Sequence, residues 1–116
     1  MYEYRCKVVK IIDGDTVDVD IDLGFGVWLK KERIRLYAID TPESRTRDLE
    51  EKKYGLAAKK FLTGMLDDEG GITLKTQKDA EGKIGRILGE LWRTTNYADQ
   101  SINDYMIEKH HAVRYY

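Results

Sequence analysis

Between Thr16 and Leu23 the chain alternates without a break, with Val17, Val19, Ile21 and Leu23 on one side and Thr16, Asp18, Asp20 and Asp22 on the other. A period of two sends successive side chains to opposite faces of an extended chain, so this stretch predicts a strand with one dry face and one wet face. Turn-forming residues bound it, Asp13-Gly14 before and Gly24-Phe25-Gly26 after. The Val- and Ile-rich run from Arg5 to Ile12 predicts a preceding strand, and Val27 to Ile39 a following one, bent near Lys30-Lys31-Glu32. Three successive strands joined by short turns make an antiparallel meander. On the third strand, strict alternation puts Ile34, Leu36 and Ala38 on one face and Arg33, Arg35, Tyr37 and Ile39 on the other. The strand then runs to Pro42, the only proline, where a rigid turn ends it.

Beyond Glu43 the period changes. Ser44 to Lys53 is charged, has no apolar repeat and is expected to be a loop. Tyr54, Ala58, Phe61, Leu62 and Met65 then recur at helical spacing. Ile72 to Thr76 predicts a short strand, Lys78 to Lys83 a turn, and Ile84 to Trp92 a last strand. Ser101 with Asp104 resembles a helix N-terminal cap, and Ile102, Tyr105, Met106 and Lys109 would share one face of a helix ending near His110. Ala112 to Tyr116 is expected to be a short tail. The pattern predicts an α+β chain, mainly β: a five-stranded oligonucleotide-binding (OB-fold) barrel with one helix after the third strand and another after the fifth, forming one domain over residues 1–116.

Composition narrows the partners. Charged residues make up 35% of the chain, but the net charge is −1, so no overall basic field advertises nucleic-acid binding. A polyanion would have to be held by local clusters or by a bound cation. The lone Cys6 cannot form an intrachain disulfide and reads as a small buried hydrophobe. No apolar leader or membrane-length segment is present. The expectation is a soluble chain with no membrane partner, the cytoplasm favoured.

Four carboxylates, Asp13, Asp15, Asp40 and Glu43, lie at strand ends. Carboxylates that converge repel one another unless a cation or protons relieve them. Hard oxygen donors suit calcium or magnesium, and no Cys/His cluster suits zinc. An arginine can grip two phosphate oxygens at once and keeps its charge at working pH. Arg35 and Arg86 around one phosphorus, with a cation opposite, would meet the charge that builds on equatorial oxygens during phosphodiester cleavage. Glu43 would orient or deprotonate an attacking water. By spacing alone, ion pairs between these arginines and acids are the commoner meaning of such a pattern.

Read together, the motifs point further. Val8 to Val17, with its Asp13-Gly14-Asp15-Thr16 core, resembles the first signature of the staphylococcal nuclease family; Arg33 to Glu43 resembles the second. Lys52-Lys53-Tyr54-Gly55, Lys83-Ile84-Gly85-Arg86 and Ile102-Asn103-Asp104 resemble the segments that follow, in the family's order. That resemblance implies an OB-fold barrel that cleaves DNA and RNA with calcium, on the 5′-oxygen side, leaving 3′-phosphates. It implies calcium ligation by the carboxylates of Asp15 and Asp40 and the backbone carbonyl of Thr41, with Asp13 reaching the ion through water. It also implies phosphate binding by Arg35 and Arg86, and a general base at Glu43.

Departures from the family pattern carry expectations too. Ile84 stands where the family usually has a tyrosine, and Phe25 and Trp28 at the first hairpin's tip would either stack a base or pack on the barrel. Lys83, Tyr115 and Tyr116 are candidate substrate contacts, and Lys30, Lys31 and Lys83 would join Arg35 and Arg86 in a local positive track. The sequence stops where the family usually adds a further C-terminal helix, so the expectation is either a compact member or a homo-oligomer that covers the apolar surface left behind. The alternative to a nuclease is a non-catalytic barrel that binds nucleic acid or protein. Relatives of that kind typically lose the acidic and arginine residues, all of which are present here.

Overall fold

The computed structural model describes residues 2–67, 71–77, 87–93 and 100–115. The meander forms as its alternation requires: β1 (Glu3–Asp13), β2 (Thr16–Asp22) and β3 (Trp28–Leu36) pair antiparallel in sequence. After β4 (Ile39–Asp40) and α1 (Leu49–Leu66) come β5 (Ile72–Gln77) and β6 (Ile87–Arg93), then α2 (Ile102–Glu108) and β7 (Val113–Arg114). The strands β1-β2-β3-β6-β5 close into a barrel, with β6 parallel to β3 and β5 antiparallel to β1. This is the expected five-stranded OB-fold architecture, with α1 after the third barrel strand and α2 after the fifth.

The barrel is filled by the predicted dry face. Val17, Val19 and Ile21 meet Ile34 and Leu36 of β3, Ile72 and Leu74 of β5 and Leu91 of β6. Ala58, Leu62 and Leu66 of α1 and Ile102 and Met106 of α2 join the same buried cluster, α1 packing against β1 and α2 against β6. Cys6 is buried as expected, and loss of hydration pushes its thiol up to about 12. Leu23, by contrast, is exposed, because β2 ends at Asp22 and the chain enters the hairpin turn. The bend near Lys30-Lys31 is a bulge: Val19 pairs with Glu32 and Ile21 with Leu29, so two lysines oppose Asp20 alone.

Other predictions need correction too. Strict alternation fails after Leu36: Ala38 adopts a left-handed backbone (φ 63°), which moves Ile39 into the core and Asp40 out to the rim. The expected loop up to Lys53 is already helical from Leu49, capped by Asp48, whose carboxylate accepts from the Glu50 and Glu51 amides at 3.1 and 3.2 Å. That first turn is mostly exposed, so it carries no hydrophobic period; Leu49 itself is exposed. The buried stripe of α1 is Gly55, Ala58, Leu62 and Leu66, rotated from the predicted one so that Tyr54 faces out. On α2, Ile102 and Met106 are buried as expected, but Asn103 joins them instead of Tyr105 and Lys109.

The supposed tail is also structural. Val113 pairs with Asp40 and Arg114 with Ile39, and the Tyr115 amide donates to the Ala38 carbonyl at 2.9 Å. The end of the chain therefore holds the strand that presents Asp40.

Candidate active site

The site is assembled where the β1–β2 turn meets the segment after β3. Gly14 lets them touch: a Cβ there would lie 2.8 Å from Ala58 Cβ and 3.1 Å from the Thr41 side chain. The turn thus wedges between α1 and the Thr41 loop, which no larger residue would permit without a shift. Next in the chain, Asp15 is buried, and each of its oxygens has a donor. Oδ2 accepts from the Thr41 amide at 3.1 Å, and Oδ1 from the Thr16 hydroxyl at 3.1 Å.

Arg35 lies opposite Thr16 in the β2–β3 ladder and is largely buried. Its Nη1 is 3.3 Å from Asp15 Oδ2 and donates to the Leu36 carbonyl at 3.2 Å. Its Nη2 is 3.5 Å from Asp40 Oδ1. The two carboxylates therefore converge on a single guanidinium. Asp15 is the dry partner and Asp40 the wet one, its side chain half exposed. The contact from Asp40 is possible only because Ala38 turns left-handed, a conformation that costs an alanine roughly 1 kcal/mol. Pairing with β7 holds that conformation in place.

A second anchorage sets the Glu43 loop. Asp13 Oδ1 accepts from both the Ser44 amide, at 3.3 Å, and the Ser44 hydroxyl. The Glu43 amide donates to Glu51 Oε1 at 3.4 Å. Gly55 of α1 lies directly against this backbone; a Cβ there would be 2.3 Å from the Glu43 carbonyl oxygen. Glu43 is thus held at its backbone by three contacts while the residue stays exposed. That is the posture of a carboxylate free to meet a solvent molecule or a ligand.

The predicted site residues divide clearly. Asp13, Asp15, Arg35, Asp40, Thr41 and Glu43 come together at one rim. Tyr115 sits beside it, exposed, with its backbone bonded to Ala38. Lys83, Arg86 and Tyr116 lie outside the described residues. The predicted track is not continuous through Lys30: that lysine is 3.4 Å from Asp20 and 5.5 Å from the Trp28 ring, roughly 15 Å along the strand from Arg35. Two positioning residues escaped sequence reasoning. Ser44 gave no signal in a charged stretch. Asn103 stood inside a recognised segment, but its bonds to the Tyr37 and Gly89 carbonyls and from the Leu91 amide depend on three separate elements.

The donor set fits a hard divalent cation. Two carboxylates and Thr41 supply only oxygen, and the buried Thr41 hydroxyl oxygen has no hydrogen-bond partner. No three Asp, Glu, His or Cys side chains converge as a ready-made cage among the described residues. The protein would therefore contribute a minority of an ion's ligands and leave positions for water and substrate. No described helix is long and apolar enough to cross a membrane.

Known proteins resemble the chain in the same region. Residues 33–116 match the staphylococcal nuclease homologue family. Protein ParB of Escherichia coli is 39% identical over 90 residues, which is 78% of this chain and 42% of ParB. The thermonuclease of Staphylococcus hyicus is 31% identical over 90 residues, 78% of this chain and 49% of that enzyme. Endonuclease YhcR of Bacillus subtilis is 24% identical over 119 residues, 98% of this chain but 9% of that protein. The chain spans less than half the length of each of these relatives. The family match begins at Arg33, and Asp13 and Asp15 precede it; their membership of the site rests on the contacts to Ser44, Thr41 and Arg35.

Proposed function

The chain belongs to the staphylococcal nuclease family, and on that premise we propose that it is a calcium-dependent endonuclease that hydrolyses DNA, and RNA as a second substrate, leaving 3′-phosphates. The observation that carries this reading is the convergence of Asp15 and Asp40 on Arg35, beside the unpartnered Thr41 hydroxyl. Asp15, Asp40 and Thr41 would hold calcium, and Asp13 would act through water with the oxygen that Ser44 does not occupy. Bound there, calcium supplies positive charge against the phosphate's non-bridging oxygens.

The chain's own groups do the rest. Arg35 turns its guanidinium toward the phosphate as the acids engage the cation. Its remaining N–H donors grip the oxygens on which charge develops. Arg86 is proposed as the second arginine of the pair. Glu43, exposed and held at its backbone, takes the proton from the attacking water. Water adds to phosphorus, the bond to the 5′-oxygen breaks, and that oxygen leaves with a proton from solvent. With a net charge of −1, the strand is held locally, so binding should weaken steeply with salt.

The test is digestion of single-stranded DNA, double-stranded DNA and RNA with calcium, with magnesium and with chelator, Glu43→Ala running alongside. Cleavage that requires calcium and falls by at least about a hundredfold in the variant is the expected result. Binding retained without cleavage would replace this reading with that of a non-catalytic barrel. Neither cleavage nor binding would leave Arg35, Asp15 and Asp40 as a structural ion-paired rim.

A further inference from the structure

Beside the rim lies a cleft of about 420 Å³ whose far walls the chemistry above does not use. Asp40 and Thr41 form its near wall, α1 contributes Glu51 and Tyr54, and the segment after α2 contributes His110 and His111. Four of these six residues are types that bind metals, but no three of them converge as ligands among the described residues. An aromatic wall with a few polar groups is instead the composition of an organic-ligand site. Tyr54 is more than half exposed and lines the cleft, so its ring is accessible to a ligand there.

We propose that this cleft is a base subsite: it takes the nucleobase next to the phosphate held at the rim, stacks it on Tyr54 and prefers guanine. The assignment rests on the nuclease reading for its substrate class. Continuity comes from Asp40 and Thr41, which belong to both rim and cleft, so a nucleotide adjacent to the bound phosphate is within reach. Stacking of single-stranded bases on tyrosine is sequence-tolerant; the polar groups set the preference. The carboxylate of Glu51 only accepts hydrogen bonds when ionised. Guanine alone offers two adjacent donors on its Watson–Crick edge, from N1 and N2, and its O6 and N7 accept from an imidazole N–H. Thymine has a single ring donor there.

The walls are set beforehand. His111 stacks on Phe61 with ring centroids 4.7 Å apart. Glu51 Oε1 is engaged by the Glu43 amide, which leaves its other oxygen available. A base bound to Glu51 therefore sits one contact from the proposed general base.

Two readouts on the full chain test this. The first is binding of dGMP, dAMP, dCMP and dTMP without calcium, followed by NMR at the Tyr54 and His111 rings, in the wild type, Tyr54→Leu and Glu51→Gln. Tyr54 is exposed, so its replacement leaves the core intact. The second is the ratio of cleavage at guanine-flanked over thymine-flanked sites in single-stranded oligonucleotides, a ratio in which any general loss of activity cancels. The expected result is dGMP affinity about tenfold above dTMP, lost in Tyr54→Leu and levelled in Glu51→Gln, with the cleavage ratio falling in parallel. Equal affinity for the four nucleotides overturns the guanine preference. No binding, or binding indifferent to both substitutions, overturns the subsite even where cleavage is robust. Selective binding without any cleavage upholds the subsite and counts against the nuclease reading alone.

Discussion

Two glycines of α1 make a matched pair for testing how the Glu43 loop is held. At Gly55 an added Cβ would lie 2.3 Å from the Glu43 carbonyl oxygen, 2.4 Å from its carbon and 2.7 Å from the Ser44 nitrogen. Ordinary contact begins near 3.4 Å, so helix and loop must separate by about 1 Å. The obstacle is backbone on both sides, and Ser44 is tied to Asp13, so neither can swing aside cheaply. At Gly64, nine residues along, a Cβ would meet nothing within 4 Å. Alanine gains about 1 kcal/mol of helix propensity at either position. At Gly55, overpacking of about 1–3 kcal/mol works against it. Thermal unfolding should therefore give Gly64→Ala a melting temperature several degrees above wild type and Gly55→Ala one several degrees below. Cleavage kinetics separate the two parts of the argument. A 1 Å displacement of a general base lowers kcat by up to about a hundredfold, and Gly64→Ala leaves it unchanged. A Gly55→Ala protein as stable as Gly64→Ala would refute the close packing. One that is destabilised yet fully active would refute the claim that this contact positions Glu43.

Other outcomes follow from single groups. Asn103→Ala should cost about 2–4 kcal/mol in chemical denaturation, because it removes a partner from the Tyr37 carbonyl and from the Leu91 amide, and one of two from the Gly89 carbonyl, which keeps the Tyr37 amide. Asp18 is held below the ordinary carboxylate range, first by the hydrogen bond from Arg33 and then by its charge. Because the folded-state value is the lower one, the pair adds stability above the unfolded value near 3.9 and loses it as pH falls through the folded value. Acid titration of Asp18→Asn against wild type should therefore show a gap at pH 6 that closes below about pH 4. The Cys6 thiol, pushed up to about 12 by burial, should resist a thiol reagent at pH 8 in the native protein and react promptly in denaturant. Rapid native labelling would show that β1 opens.

Much of the barrel was legible because strands and helices write their burial into sequence at periods of 2 and 3.6. Val17, Val19 and Ile21 needed only their spacing to be placed inside. Asp15, Arg35, Asp40 and Glu43 could be nominated because acids and arginines at strand ends are costly to keep and chemically specific. What alternation could not carry was the break at Ala38, where one left-handed residue exchanges the faces of everything after it. The helical turn at Leu49 was hidden for the opposite reason: it is capped by Asp48 and buries nothing, so it leaves no periodic trace.

Only tertiary structure decided how the pieces meet. Gly14 and Gly55 are glycines because other segments press on them, Ala58 and Thr41 in one case and the Glu43 backbone in the other. β7 looked like a tail because two residues have no period of their own; it becomes a strand by borrowing the edge of β4, and so fixes Asp40. The cleft between Tyr54, Glu51 and His111 joins parts of the chain more than fifty residues apart. Periodicity reports what each segment does with water. Distances between segments are set by packing, which no single stretch of sequence contains.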